Sequence, residues 1–482
     1  MNMSRIKSGL CALVIFSWPG IALSANPIVT DIYTADPAVR YFEGRFWMYT
    51  THDESTASGD FDMRDWRAYS SEDLDEWTDH GTVFHLDDIS WANKDAWAPD
   101  VVERNGIYYL FFPVERRHIG VATSTSPAGP FQDALGYPLV SNSMPNAPHL
   151  TIDPAVLIDD DGKAYMYFGN DDPIATAKEG GNPLTARMTP RVVKLKDNMI
   201  ELDGPILDVA GVNNFFEAPW IHKHNGIYYL SYAGNGIISD ISYATADNPI
   251  GPFQKRGVMA DRLLSPWSLT NHSSTVEKDG QWYFFYHTTE LSNGNWYRRS
   301  VAGERFDHNE DGTIPKIRRT FFGVGRSAFM NVGETSSGYH YVDSDGKQWR
   351  KDRNFSSSSN VHTTSDPISN TYNHSIYQTQ RYSEGPWWSQ RPLNYQFLVP
   401  NGDYEVRLHF AETYFTRNGR RTFDIDIEGQ RVYSKLDIHQ EAGHDRALVK
   451  SFNTTVSDGE LNIDLLPVRN NPQIAAIEIH RR

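Results

Sequence analysis

A single cysteine, Cys11, is all the thiol this 482-residue chain contains, and it sits in the N-terminal segment. Past that segment, disulfides and thiol chemistry are excluded. No later run is apolar enough to be a transmembrane helix. Positive charge is scarce: 45 Lys and Arg face 61 Asp and Glu, for a formal net charge of −16. That balance argues against nucleic acid or anionic membrane as a partner and suits a neutral substrate. A sustained helical periodicity is missing. So are a Gly-x-Ser-x-Gly nucleophile elbow and a zinc motif, which disfavours an esterase or a metalloprotease.

What is present is aromatic and turn-rich. Phe, Trp and Tyr make up 13% of the residues, with 35 Gly and 26 Pro, a composition that fits an all-β protein with many turns. Arg5 and Lys7, the apolar stretch from Gly9 to Trp18 and the small residues around Ala22-Leu23-Ser24-Ala25 read as a secretory signal peptide over residues 1–25. Export without disulfides points to a bacterial periplasmic or secreted protein.

One phrase recurs five times at roughly 55–65-residue spacing, the mark of a repeat architecture. A polar or acidic start, often followed by proline, leads to a Gly and then an aromatic strand. Asp36-Pro37 leads to Gly44 and Phe46-Trp47-Met48-Tyr49. Trp97-Ala98-Pro99-Asp100 leads to Gly106 and Tyr108-Tyr109-Leu110-Phe111. Asp153-Pro154, Glu217-Ala218-Pro219 and Asn271-His272-Ser273 head the remaining copies. Each copy reads as a hairpin, and five units of four short strands give a five-bladed β-propeller over residues 26–320. In a radial array the starting residues converge on one axis, which brings Asp36, Asp153 and Glu217 to one position in three blades. A lone Asp-Pro is ordinary turn chemistry, but three carboxylates in register suit glycosidic cleavage. One, with a raised pKa, protonates the leaving oxygen, and another activates water.

These motifs resemble glycoside hydrolase family 43. The resemblance covers essentially the whole first domain and rests on Tyr33-Thr34-Ala35-Asp36-Pro37, Trp97-Ala98-Pro99-Asp100, Ile152-Asp153-Pro154-Ala155, Phe216-Glu217-Ala218-Pro219 and Asn271-His272-Ser273-Ser274. It implies that Asp36 is the general base, Glu217 the general acid and Asp153 the residue that tunes and orients the acid. It further implies inversion, with Asp36 and Glu217 about 6.5–9.5 Å apart. His272 and Arg299 are implied substrate contacts, with a structural histidine and a surface salt bridge as the plain alternatives. Trp97, or else Trp47 or Phe216, is a candidate apolar wall for the sugar, against the ordinary reading of blade core. Asp100 reads as structural. No metal ligand is assigned and no cofactor is required, although the resemblance leaves room for a calcium or sodium ion near His272. The implied substrate is an arabinose- or xylose-containing polysaccharide or oligosaccharide of the plant cell wall, cut by an α-L-arabinofuranosidase or β-xylosidase. An endo-arabinanase, a galactosidase or a non-catalytic propeller lectin are the competing readings. The inserts at Ala57–Trp66 and Asp171–Arg187 are candidates for walling the face into a pocket.

From Ile317 to Gly325 the pattern breaks. Residues 327–482 carry alternating strands around Tyr404–Phe410, Thr422–Ile427 and Ala475–Ile479, as in a β-sandwich. Tyr341-Val342-Asp343-Ser344-Asp345-Gly346, Leu408-His409-Phe410-Ala411-Glu412 and Phe423-Asp424-Ile425-Asp426 resemble a malectin-like carbohydrate-binding domain. Asn331-Val332-Gly333-Glu334 stands where that family often has Asn-Cys-Gly-Gly. Tyr377, Tyr382, Trp387 and Trp388 are placed either to stack on sugars or to pack against the propeller, so the domain reads equally as a targeting module or a brace.

Overall fold

The computed structural model describes residues 21–23, 26–57, 59–262, 270–336, 340–355, 358–385 and 390–482. Four of the five repeat hairpins turn on a residue followed by glycine, both at positive φ: Glu43-Gly44, Asn105-Gly106, Asn225-Gly226 and Asp279-Gly280. Paired positive φ values are what a two-residue hairpin needs to match strand twist, and glycine adopts them without a Cβ clash. Each hairpin opens a separate antiparallel sheet, so the chain builds five blades.

The innermost strands are Tyr33–Phe42, Asp100–Arg104, Ala155–Ile158, Phe215–His224 and Ser273–Lys278. Their returning partners are Arg45–Asp53, Ile107–Val114, Ala164–Phe168, Ile227–Gly234 and Gln281–Thr288. Aromatic side chains from the outer strands fill the layers between blades, as Trp66, Phe84 and Phe112 do between the first and second. The inner strands are joined across blades by side chains. Asp100 accepts hydrogen bonds from Val156 N–H (2.7 Å) and from Arg40 of the first blade (2.6 Å). Ser274 Oγ accepts from Val39 N–H at 3.1 Å. Ala38, Ala155 and Trp220 pack together, with the Arg40 guanidinium 4.2 Å over the Trp220 ring. Asp100 is therefore a fully buried staple, in line with its structural reading.

The fifth blade departs from the four-stranded expectation. Among the described residues it has three strands, ending with Ser300–Phe306. The next place is taken by the chain just after the signal-like segment: Ile28 N–H donates to Val301 O (2.8 Å), and the Asn26 amide exchanges hydrogen bonds with Gly303 N–H and C=O. Asn26 also donates to the buried Glu304 (2.6 Å), which accepts from Thr320 as well. One side-chain cluster thus ties both ends of the propeller to its last blade. Of the signal-like segment, only Ile21–Leu23 lies within the described residues, and it pairs with the outer strand of the first blade.

The remaining sheets form a sandwich. A six-stranded sheet includes Ser327–Asn331, Gly402–Ala411, Ala447–Val456 and Ala476–Arg481. It faces a four-stranded sheet of Leu393–Leu398, Thr422–Ile427, Gln430–Leu436 and Glu460–Arg469. Val406, Leu408, Phe410, Phe423, Ile425, Ile463 and Leu465 share the core between them. The period-2 alternation of these strands decides which side chains face inward. Phe321 and Phe322 of the connecting segment enter this core, packing against Phe397 and Tyr404. Arg350 donates to Pro27 O (3.1 Å), and Arg353 pairs with Glu290 of the fifth blade (3.2 Å).

Candidate active site

Because neighbouring strands run antiparallel, the loop after each returning strand lies at the end where the inner strand begins. Loops 54–62, 169–190 and 289–299 therefore rise around the converging strand starts. They frame an open pocket lined by Asp36, Asp153, Glu217, His272, Arg299 and Trp97, together with Phe61 and Met63.

The carboxylates are presented on strained turns. Asp36 (φ 52°), Asp153 (φ 55°) and Ala218 (φ 54°) occupy the left-handed region immediately before a proline, a conformation that costs on the order of 1–3 kcal/mol for a non-glycine residue. Pairing in the first and fourth blades slips at these points, between Ala35 and Ala38 and between Glu217 and Trp220. This corrects one expectation. The residue equivalent to Asp36 and Asp153 is Ala218, so Glu217 stands one position ahead of the shared register. Its place is fixed by the next residue, since Ala218 N–H donates to Asp153 Oδ2 at 3.0 Å.

Asp36 is engaged on every side. Thr51 Oγ1 donates to Oδ2 (2.9 Å) and Arg299 Nη1 to Oδ1 (2.7 Å), while Asp36 N–H donates to His287 Nδ1 (3.4 Å). Burial alone would push this carboxyl up, but Arg299, with help from His287 and His272, holds it far below the usual carboxylate range. Asp53 orients the arginine, accepting from its backbone N–H (2.7 Å), Nε (3.0 Å) and Nη2 (2.8 Å). Arg299 is 3% exposed, so it is an interior ion pair of the pocket and not a surface salt bridge.

Glu217 is treated in the opposite way. Burial raises its pKa to about 7, with Asp36 adding to the rise, against the lowering influence of Asn170 and Arg299. Asp153 moves up as well, first by burial and then by the charges of Glu217 and Asp36. His272 is driven down to about 4, chiefly by burial, and is neutral at ordinary pH. Its Nδ1 lies 3.9 Å from Asp36 Oδ1 and 4.0 Å from Asp153 Oδ2. One imidazole beside two distant carboxylates, one of them already claimed by Arg299, does not fit direct coordination of a hard cation, which takes six to eight oxygens. Among the described residues no group of three or more His, Asp or Glu is arranged to hold a metal ion.

Trp97 lines the pocket, and its buried Nε1–H has no partner among the described residues. Trp47 and Phe216 do not: Trp47 is packed in the core against His80, and Phe216 lies in the core between the fourth and fifth blades. Their outward or inward facing depends on strand register, which a blade-core aromatic does not reveal in sequence. Phe61, Met63, Asp53, His287 and Asn170 complete the surroundings and were not singled out from sequence. They lie at the ends of returning strands, in the loops that follow, or at the start of the next strand, away from the repeated phrase. Arg116 ties the rim together, pairing with Asp60 (2.8 Å) and Glu179 (2.8 Å) from two different inserts while covering the Trp97 ring at 4.8 Å.

In the sandwich, Tyr377 is buried and bonded to His409 (2.8 Å), which makes it a packing residue. Tyr382 borders a cleft with Tyr414, Phe415, His362 and Arg421. Trp387 and Trp388 lie outside the described residues.

Three carboxyls lining one pocket of a five-bladed propeller are the kind of set that glycosidic cleavage uses. Residues 24–314 match Glycosyl hydrolases family 43, and residues 327–479 match the Malectin domain. The chain belongs to glycoside hydrolase family 43, with a malectin domain following the catalytic one. It is 36% identical over 331 residues to a xylosidase/arabinosidase of Humicola insolens, covering 60% of this chain and 98% of that one. A β-xylosidase/α-arabinofuranosidase from a compost microbial metagenome, solved with xylotriose in a calcium-free form, is 38% identical, with a TM-score of 0.54 over 61% of this chain and 96% of that chain. An arabinoxylan arabinofuranohydrolase of Bacillus subtilis shares the fold over 95% of this chain and 97% of its own, with a TM-score of 0.56 at 22% identity. The protein is thus a glycosidase, and among its described residues no helix is long and apolar enough to cross a membrane.

Proposed function

We propose that the protein is an inverting exo-glycosidase that removes arabinofuranosyl or xylosyl residues from plant cell-wall polysaccharides or oligosaccharides. The observation that carries the reading is the split between two carboxylates of one pocket. Asp36 is held ionised by Arg299, whereas burial keeps the Glu217 proton up to about 7. Asp36 takes a proton from a water that attacks the anomeric carbon. Glu217 gives its proton to the glycosidic oxygen as the bond from that carbon breaks on the opposite face. Asp153 holds the Glu217 turn through Ala218 N–H, while the ionised Asp36 favours the protonated acid. His272, Arg299 and Trp97 contact the sugar. No step is routed through a metal.

The pentose assignment is supported by the relatives, whose names cite xylosidase and arabinosidase activity. Exo action is supported by the rim inserts that Arg116 clasps around Trp97. Residues 26–320 would then do the chemistry. The sandwich, residues 327–482, would hold the polymer through the cleft of Tyr382, Tyr414 and Phe415, after export of the chain to the periplasm or medium. The test is a panel of aryl glycosides compared by kcat/KM, with the anomer of the first product followed by NMR. Turnover of the α-L-arabinofuranoside or β-D-xyloside with inverted product is expected. A retained anomer, or no turnover of either, would overturn the reading.

A further inference from the structure

Building on that reading of Glu217 as the acid, we propose that Asn170 is a positioning residue that dictates which oxygen of Glu217 delivers the proton. Asn170 is 3% exposed and heads the loop after the third blade's returning strand. Its Nδ2 donates to Glu217 Oε2 at 2.9 Å. The amide cannot be turned round, because its Oδ1 accepts from Asp172 N–H at 3.1 Å. A hydrogen-bond donor therefore always faces Oε2, and a proton on that oxygen would meet a second donor head-on. The acidic proton is left on Oε1, the oxygen Asn170 does not occupy.

The loop that carries Asn170 is anchored on both sides. Asp171 pairs with the buried Arg191 at 3.2 Å, and its Oδ2 accepts from Arg187 N–H. Asp172 caps the helix Pro173–Lys178, accepting from Ile174 N–H (2.8 Å) and Ala175 N–H (3.0 Å). Asp171 N–H donates to Phe216 O, next to the acid. Three consecutive residues thus bind the rim insert, the blade and the acid into one unit. The titratable groups around Glu217 are Asp36, Asp153, Asp172 and Arg299, with neutral His272 lining the same pocket; Asn170→Leu changes none of their charges, whereas Asn170→Asp adds a carboxylate beside Glu217.

A misplaced acid matters most when the leaving group is poor. Asn170→Leu removes the donor. Asn170→Asp keeps the shape and the acceptor for Asp172 N–H but turns the donor into an acceptor. Both variants are expected to lose about 10- to 100-fold in kcat/KM on an unactivated disaccharide, a part of the roughly 10²- to 10⁴-fold that acid catalysis supplies. On a 4-nitrophenyl glycoside, whose leaving group needs little protonation, the loss should stay below about threefold. The alkaline limb of the pH profile should move up by about one pH unit, since a hydrogen bond to the carboxylate form lowers its pKa. Equal losses on both substrates, or an alkaline limb that stays in place, would overturn the assignment. Glu217→Gln run alongside separates the two ideas: if it turns over the disaccharide normally, the acid assignment itself fails, whatever Asn170 does.

Discussion

Replacing Glu217 by Gln should make the folded protein more stable and the enzyme nearly inactive, and the stability gain should appear only at high pH. The pocket holds the Glu217 pKa at about 7 against an ordinary value of 4.5. A carboxyl whose pKa is raised on folding contributes its full stability below the unfolded value and loses it as pH rises through the folded value. At about 1.4 kcal/mol per pH unit, the span corresponds to about 3 kcal/mol forfeited by the wild type above pH 8. A glutamine at this position carries no such penalty, and its amide oxygen can still accept from Asn170. Part of the gain passes through Asp153, whose proton affinity is raised first by burial and then by the Glu217 charge. Melting curves at pH 4 and pH 8, followed by circular dichroism, measure the effect. Wild type and variant should melt together at pH 4. At pH 8 the variant's propeller transition should lie higher by on the order of 5 °C. On an unactivated disaccharide kcat should fall about 10²- to 10⁴-fold. A stability difference that does not change between the two pH values would refute the raised pKa, and undiminished turnover would refute the acid.

Arg299→Lys should move the acidic limb of kcat/KM upward, because the guanidinium is the main group holding the Asp36 carboxyl low. A pH profile with an unmoved acidic limb would contradict that. Tyr414→Ala in the sandwich cleft, where the ring is 67% exposed, should weaken retention on insoluble arabinoxylan while leaving kcat/KM on an aryl glycoside unchanged. Equal retention would leave the domain as a brace. Phe322→Ala should destabilise the sandwich by about 3–5 kcal/mol, the range for truncating a buried Phe, read by calorimetry. A loss under about 1 kcal/mol would mean that the connecting segment is not part of that core.

Much of the architecture is legible in residues close together in the chain. The hairpin turns declare themselves through residue-glycine pairs such as Asn105-Gly106, and the strands through aromatic runs, because both express local dihedral and packing preferences. The pre-proline motifs pointed to Asp36, Asp153 and Glu217 for the same reason. Even with its one-residue offset Glu217 lines the same pocket as Asp36 and Asp153, since a bulge moves a side chain along the strand without removing it from the rim. The closure of the fifth blade by Asn26 and Ile28 was not legible: its partner strand lies at the far end of the domain, and a hydrogen-bonding Asn looks like any other loop residue. Trp47 and Phe216 were offered as walls for the sugar, but a blade core and a pocket wall are both apolar and only register separates them.

By itself the sequence determined that the chain is an all-β repeat protein, that its repeats share an axis and that a small set of carboxylates stands at their starts. Only the tertiary structure supplies the physical difference between the carboxyls, Asp36 held low and Glu217 raised. That difference rests on desolvation and on an arginine 263 residues from Asp36, brought within 2.7 Å when the blades close. Asp53, His287 and Asn170 entered by the same route, through contacts that exist only once the ring is shut. Periodicity is a property of neighbouring residues. Proton affinity is a property of whatever the fold places around a group, and here the fold shifts two chemically similar side chains in opposite directions.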